Sequence, residues 1–229
     1  MTTVRVRRLP ATLLAAGLLL GACSAADTDD GADGGTDGGS AAASSTGHDH
    51  SGAVVEGPGG VYAGIDLPDP YQRPSFTLTD TTGAPYDFAA QTAGRTTLLF
   101  FGYTTCPDVC PTTMADVALA LRKLDAAEAA QVQVVFVTTD PATDTPPVLG
   151  DYLHNFDADL PASFTGLTGD QGSIDRAQLA AGVPLAEEQG RLHSSLLLLY
   201  GADDEAHVAF DAGNTADDIA ADVEKVLGE

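Results

Sequence analysis

Beyond residue 90 the chain carries three short runs in which apolar positions follow one another without alternation: Thr96–Phe101, Val132–Val137 and Leu196–Tyr200. Runs of this length, rich in branched and aromatic residues, are expected of central strands covered on both faces. Between the first two, Met114, Val117, Ala118, Leu121 and Leu124 recur at helical spacing, which predicts a helix over Thr112–Leu124. Strand, helix and strand in that order imply a parallel, right-handed crossover. Downstream, Asp144-Thr145-Pro146 reads as a cap with proline entering a helix toward Phe156, and another helix is expected near Ile174–Ala181. The last apolar run leads into a turn at Gly201-Ala202-Asp203-Asp204 and a return strand around His207–Phe210, an antiparallel hairpin. A closing helix places Ile219, Val223, Val226 and Leu227 on one face, with Asp217 and Asp218 in its first turn and Lys225 near its end. Ahead of these elements, Phe76–Phe88 alternates about Thr82-Gly83-Ala84-Pro85 and predicts an additional hairpin at the front.

Strand, helix, strand, helix, antiparallel hairpin and closing helix is the order of a thioredoxin fold. The expected class is therefore α/β, with a central mixed sheet, flanking helices and an extra N-terminal β-hairpin. Residues 61–229 have the size of one domain and enough aliphatic residues for a single core.

The residues ahead of that domain read differently. A basic start (Arg5, Arg7, Arg8) joins an apolar run from Leu13 to Leu20, too short to span a bilayer but suited to a secretory signal over residues 1–22. The run ends in Leu20-Gly21-Ala22-Cys23, which resembles the lipobox of bacterial lipoproteins and implies that Cys23 is acylated and becomes the first mature residue; the alternative is an ordinary signal peptide with an incidental cysteine. Residues 23–60 are almost entirely Ala, Gly, Ser, Thr and Asp, a composition that cannot bury enough apolar surface to offset its ordering entropy, and are read as a tether. The expected location is extracytoplasmic, on the cell membrane.

Charge narrows the partners. Removing the signal takes three of the ten basic residues and none of the 33 acidic ones, so the net charge moves from −23 to −26. Such a surface argues against nucleic acid and repels anionic lipid, so membrane attachment has to come from the lipid. The carboxylates themselves are read first as solubilising.

With Cys23 assigned to the anchor, two of the three cysteines remain, and they form one motif: Cys106-Pro107-Asp108-Val109-Cys110, at the junction of the first central strand and its helix. Ligands collect at the carboxyl ends of strands in open α/β sheets. Cysteines four apart at a helix start share a face, and helix-terminal amides favour their thiolates. Soft thiolates select Cu(I) and zinc over harder cations. Two thiolates underfill most metal sites, and His193, just before the apolar run Ser195–Tyr200, is the favoured third ligand. A thioredoxin-like reductase has its cis proline at that strand entrance, facing the cysteine pair. The same pair could instead interconvert between dithiol and disulfide, or form a purely structural disulfide. A peroxidase of related fold is disfavoured, since no recognisable peroxide-activating arginine accompanies Cys106.

Thr104-Thr105-Cys106-Pro107-Asp108-Val109-Cys110-Pro111-Thr112-Thr113, then Thr139-Asp140-Pro141-Ala142-Thr143-Asp144-Thr145-Pro146, Leu167-Thr168-Gly169 and His193-Ser194 resemble, in that order, the Sco/SenC family of copper proteins. The resemblance covers the folded region from about Tyr62. It implies a thioredoxin-like fold in which Cys106, Cys110 and His193 bind one copper ion, Cu(I) or Cu(II), in a protein that serves the dinuclear copper centre of cytochrome c oxidase subunit II. An extracytoplasmic copper donor would supply the ion. Position 105, often histidine in this motif, is Thr105 here and is not among the family's ligands. The segment 182–192 is less family-like, which makes the placement of His193 the step most dependent on tertiary structure. The competing role is a thiol:disulfide oxidoreductase that keeps the oxidase's copper-ligand cysteines reduced, with Cys106 and Cys110 as its redox pair.

Other residues carry two readings each. Asp140 could accept a hydrogen bond behind the thiols and tune their proton affinity, or could build an Asp-Pro turn. Asp108 is read as a helix cap, and Pro107 and Pro111 as restricting the loop. His48 and His50 in the tether could bind Cu(II) weakly or be incidental to a solvated linker. Met114 is read as core, with a remote thioether contact as the alternative. His154 and His207 are expected at the surface.

Overall fold

The computed structural model describes residues 60–188 and 190–229; the expected signal peptide, Cys23 and the tether with His48 and His50 lie outside them. In chain order the elements are β1 (Ile65–Gln72), β2 (Thr77–Asp80), β3 (Pro85–Asp87), α1 (Phe88–Thr92), β4 (Thr97–Gly102), α2 (Val109–Lys123), α3 (Ala126–Ala129), β5 (Gln133–Thr138), α4 (Pro146–Asp157), β6 (Phe164–Thr168), α5 (Gln171–Ala180), β7 (Leu197–Tyr200), β8 (Glu205–Phe210) and α6 (Ala216–Leu227). The strands form one mixed sheet in the order β1-β8-β7-β4-β5-β6-β2-β3. β4, β5 and β6 are parallel, and β7 runs antiparallel to β4. This is the α/β architecture expected from the apolar pattern.

The central strands divide their side chains between two cores. Leu98, Phe100, Val134, Phe136, Leu197 and Leu199 face one side, where they meet Met114, Val117 and Leu121 of α2, Leu149 and Leu153 of α4, and Ile219 and Val223 of α6. Leu99, Phe101, Val135, Val137, Leu198 and Tyr200 face the other, against Phe88 of α1 and Ile174 and Ala177 of α5. Burial on both sides explains why these runs show no alternation. Each fully buried large aliphatic or aromatic side chain contributes roughly 1.5–3 kcal/mol, so this double core dominates the stability.

Several elements differ from the sequence expectation for local physical reasons. β6 was not anticipated, because Phe164-Thr165-Gly166-Leu167-Thr168 is short and carries a glycine. That glycine is required by packing: a Cβ on Gly166 would lie 2.6 Å from Leu149, so α4 rests directly on the strand backbone. β1 holds Pro68 and Pro70 and is largely exposed, as edge strands can be, with a register shift between Asp66 and Tyr71 where it pairs with β8. The hairpin predicted over 76–88 is β2 and β3, attached to β6 at the far edge of the sheet. The helix expected from Thr112 begins at Val109, which puts Cys110 and Pro111 in its first turn, where a proline costs no hydrogen bond. α4 starts with proline in its first turn, as Asp144-Thr145-Pro146 predicts, but Thr145 at the cap position makes no side-chain capping hydrogen bond.

Candidate metal centre

β4 ends at Gly102, and the chain turns through Tyr103–Asp108 before α2 starts. The turn is held by the Cys106 amide donating to the Tyr103 carbonyl at 3.3 Å. Gly102 is dictated by the sulfur beneath it: a Cβ there would lie 2.8 Å from Cys110 Sγ and 2.7 Å from the Phe100 ring. Asp108 occupies the cap position of α2, but its side chain makes no capping hydrogen bond. The first-turn amide of Cys110 instead donates to Cys106 Sγ at 3.3 Å, so an amide left free at the helix start holds the loop sulfur beside the second cysteine.

The two thiols sit in unlike surroundings. Cys110 is fully buried, whereas Cys106 is half-buried and opens to solvent; both are free. Burial pushes the Cys106 thiol up, but the Asp108 and Cys110 amides, the Cys110 thiol and the Tyr103 hydroxyl outweigh it, leaving the group below the ordinary cysteine value. Burial pushes the Cys110 thiol far up; the Tyr103 amide opposes this, while the neighbouring Cys106 sulfur and the Asp144 carboxylate add to it.

His193 reaches the pair from the loop ahead of β7, 83 residues further along the chain. Its Nε2 lies 3.3 Å from Cys110 Sγ, and its Nδ1 lies 2.8 Å from the Ser194 carbonyl. A carbonyl only accepts, so Nδ1 carries the proton and the Nε2 lone pair faces the sulfurs. Burial holds the imidazole below the ordinary histidine value, with the Ser194 carbonyl working the other way, so the ring is neutral at pH 7. Its orientation is set by edge contacts with Tyr103, centroids 5.5 Å apart, and Phe100, 6.0 Å apart.

The loop carrying His193 is anchored at three places. Glu187 and Leu192 exchange two backbone hydrogen bonds, of 2.7 and 3.2 Å. Gly190 adopts φ +87° with its backbone pressed onto Thr139, whose hydroxyl lies 2.8 Å from the Gly190 carbonyl and 3.2 Å from that of Gly102. Upstream, the buried Gln178 side chain donates to the Pro184 carbonyl at 3.1 Å.

Thus Cys106 Sγ, Cys110 Sγ and His193 Nε2 all lie within 4.8 Å of one another. Two sulfurs and a neutral imidazole nitrogen form a soft donor set, and spacings of this size can be bridged by an ion held at roughly 2.0–2.3 Å from each ligand. The donors therefore fit a thiophilic ion such as Cu(I), and the partial exposure of Cys106 leaves one side of the site open.

Asp140, at the same sheet edge, builds the turn after β5 with its backbone: its carbonyl accepts from Thr143 and Asp144, and its amide donates to the Thr138 hydroxyl. The carboxylate whose charge acts on Cys110 belongs to Asp144. It is fully buried and accepts from the Thr104 amide at 3.0 Å, the Thr104 hydroxyl at 2.5 Å and the Thr138 hydroxyl at 2.6 Å. Sequence reading assigned Asp144 to the start of α4 and missed this role; the available signal was its place four residues after Asp140, beyond the end of a central strand. Met114 is fully buried in the core. His154 is exposed, and His207 lies on β8 at the other end of the sheet.

Residues 67–228 match the model of the SCO1/SenC family. A protein of Stutzerimonas stutzeri named for copper binding is 39% identical over 144 residues, which cover 60% of this chain and 68% of that protein. Among solved structures, copper-bound ScoI of Bradyrhizobium japonicum is similar with 32% identity and a TM-score of 0.56, covering 68% of this chain and 99% of that one. BsSco, a member of the Sco family of cytochrome c oxidase assembly proteins in which a disulfide switch was identified, is similar with 26% identity and a TM-score of 0.56, covering 71% of this chain and 98% of that one. With the family model covering most of the folded region, and with a Cys-Cys-His cluster at the carboxyl end of β4, this chain belongs to the SCO1/SenC family.

Proposed function

We propose that this protein is a copper-delivery factor whose cargo is held by Cys106, Cys110 and His193 and passed to the dinuclear copper centre of cytochrome c oxidase subunit II. The observation that carries the reading is the convergence of two sulfurs and a neutral imidazole nitrogen within 4.8 Å. Copper-bound relatives of the same fold support it.

Loading begins at Cys106, the more accessible thiol and the one that ionises more readily. The ion then displaces the proton of Cys110, so each copper bound releases thiol protons and affinity rises with pH. His193 completes the set without a proton to lose at its facing nitrogen. Release runs in reverse: the acceptor's thiols approach from the open Cys106 side and replace the three ligands one at a time. Cys23 anchors the protein to the outer face of the cell membrane through its lipid, residues 23–60 give it reach, and the strongly acidic surface keeps it from nucleic acid.

The supporting test is an anaerobic competition titration of the reduced protein with Cu(I), followed by X-ray absorption to count sulfur and nitrogen neighbours. One copper per chain, with affinity collapsing in Cys106→Ala, is the expected result. Equal affinity in Cys106→Ala and the parent would reject delivery through this site.

A second reading, thiol:disulfide oxidoreductase, draws on the contrast between a half-buried, easily ionised Cys106 and a buried Cys110 beside it. The Cys106 thiolate attacks an acceptor disulfide, releasing one acceptor thiolate; the Cys110 thiolate then attacks Cys106 Sγ, releasing the second. The acceptor gains two electrons, a Cys106–Cys110 disulfide forms, and a donor dithiol must reduce it again. In this chemistry His193 is not needed as a ligand. Oxidase assembly retained in His193→Ala with copper binding lost favours the redox role; assembly lost with copper binding favours delivery.

A further inference from the structure

The turn between β7 and β8 brings together three side chains that the copper reading does not use. His207 Nε2 lies 2.8 Å from Asp203 Oδ2 and 3.6 Å from Glu205 Oε2, and the ligating atoms of all three residues are within 4.8 Å of one another. Glu205 and His207 are two apart on β8, so they share a face of the strand, and Asp203 rises to the same face from the turn. The group stands at the far end of the sheet from the thiols. Tyr200 pairs with Thr97 at the start of β4, whereas the cysteines follow its end, a separation on the order of 20 Å across a six-residue strand.

We propose that Asp203, Glu205 and His207 form a second metal site, which takes a divalent cation of the Zn²⁺ or Cu²⁺ class. One imidazole and two carboxylates are a borderline-to-hard donor set, unlike the soft sulfur pair at the other end, and suit Zn²⁺ and Cu²⁺ better than Cu(I). Three ligands held at about 2.0–2.2 Å from an ion stand about 3.3 Å apart, close to the observed 2.8 and 3.6 Å. The spare oxygens are already committed elsewhere, which fixes the ligating ones. Glu205 Oε1 accepts from the Gln72 side-chain amide of β1 at 2.6 Å, leaving Oε2 toward His207. Asp203 Oδ1 accepts from the Glu205 amide at 3.1 Å, leaving Oδ2 toward the same nitrogen. A metal ion replaces the proton that His207 Nε2 shares with Asp203 Oδ2, so two carboxylates and an imidazole lone pair put a charge of −2 around it. The cation nearby, Arg73, is engaged by Asp204 at 2.6 Å and does not cancel it. All three side chains are partly exposed, so a water completes the coordination and the ion enters from solvent.

The test uses the full chain carrying Cys106→Ser and Cys110→Ser, which removes the thiols of the delivery site, with ¹⁵N-labelled histidine. Addition of Zn²⁺ is expected to shift the His207 ring resonances in a saturable way, and Cu²⁺ to broaden them, while Mg²⁺ at the same concentration leaves them unmoved. In the same background, His207→Gln and Glu205→Gln are expected to weaken the corresponding calorimetric binding event at least tenfold. A His207 ring unmoved by both Zn²⁺ and Cu²⁺, or an unchanged binding isotherm in His207→Gln, overturns the proposal. The resonance measurement needs no change at the site itself and so does not depend on how His207→Gln and Glu205→Gln fold. His207→Gln in the chain with its thiols intact retains Cu(I) binding, which separates this site from the delivery centre.

Discussion

The Thr139 hydroxyl stands 2.8 Å from the Gly190 carbonyl, and this contact ties the loop that carries His193 to the end of β5. A glycine is required on the loop side for two reasons. Its φ is +87°, and a Cβ would lie 2.1 Å from the Thr139 carbonyl oxygen. Gly190→Ala is therefore expected to lose roughly 1–2 kcal/mol from the left-handed backbone alone, and to swing the loop off Thr139 because a backbone oxygen cannot move aside. Thermal unfolding of the apo protein checks the first effect. A fall in Cu(I) affinity of at least tenfold, with both thiols still titrating, checks the second; an unchanged affinity would show that the contact does not position His193.

Asp144→Asn replaces an acceptor of three hydrogen bonds with a side chain that has one acceptor oxygen and an NH₂ group facing hydroxyl and amide donors. A loss of about 1–3 kcal/mol in chemical denaturation is expected for the donors left unsatisfied. Burial is the main cause that raises the Cys110 thiol, and the change removes the Asp144 charge that adds to it, so the pH profile of Cys110 alkylation should move to lower pH. A profile that stays put while stability falls would leave Asp144 with a purely structural role.

The unlike thiols predict ordered reactivity. Cys106, accessible and below the ordinary cysteine value, should alkylate first and at lower pH than a model thiol, while Cys110 stays protected until the fold opens. Tyr103→Phe removes a hydroxyl bonded to Cys106 and should raise the pH at which that cysteine reacts. Mass spectrometry of a pulse-alkylated, reduced sample reads both sites at once. Equal labelling rates would contradict the assignment.

His193 predicts a pH dependence with a definite sign. Its folded value lies below that of the unfolded chain, about 6.5, so the unfolded state binds the proton more readily. The stability linked to this ring is fully present above the unfolded value and is lost as pH falls through that value toward the folded one. Denaturation of the copper-free protein from pH 7.5 to 5 should therefore show a component of falling stability that is absent in His193→Asn. A parent and a variant with parallel profiles across that window would contradict a buried neutral ring.

The central strands could be read directly because their burial on both faces leaves a record in consecutive residues, as in Thr97–Gly102 and Gln133–Thr138. β1 and β6 left no such record. Pro68 and Pro70 are tolerated only because β1 lies at an edge, and Gly166 is present only because α4 needs its surface. Neither reason can be seen until the neighbouring element is in place.

The same division runs through the site. Cys106 and Cys110 are four residues apart across the start of α2, so their adjacency follows from local backbone geometry, and the amino-acid sequence alone determined it, as it determined the apolar core strands and the acidic surface. Which of Asp140 and Asp144 would turn inward, and whether a histidine 83 residues from Cys110 would face it, were decided by tertiary structure. β7 lies against β4, Gly190 lies on Thr139, and Tyr103 and Phe100 hold the ring edge-on. Contacts between segments distant along the chain depend on burial and hydrogen bonds that exist only after the sheet has closed, and no local spacing encodes them.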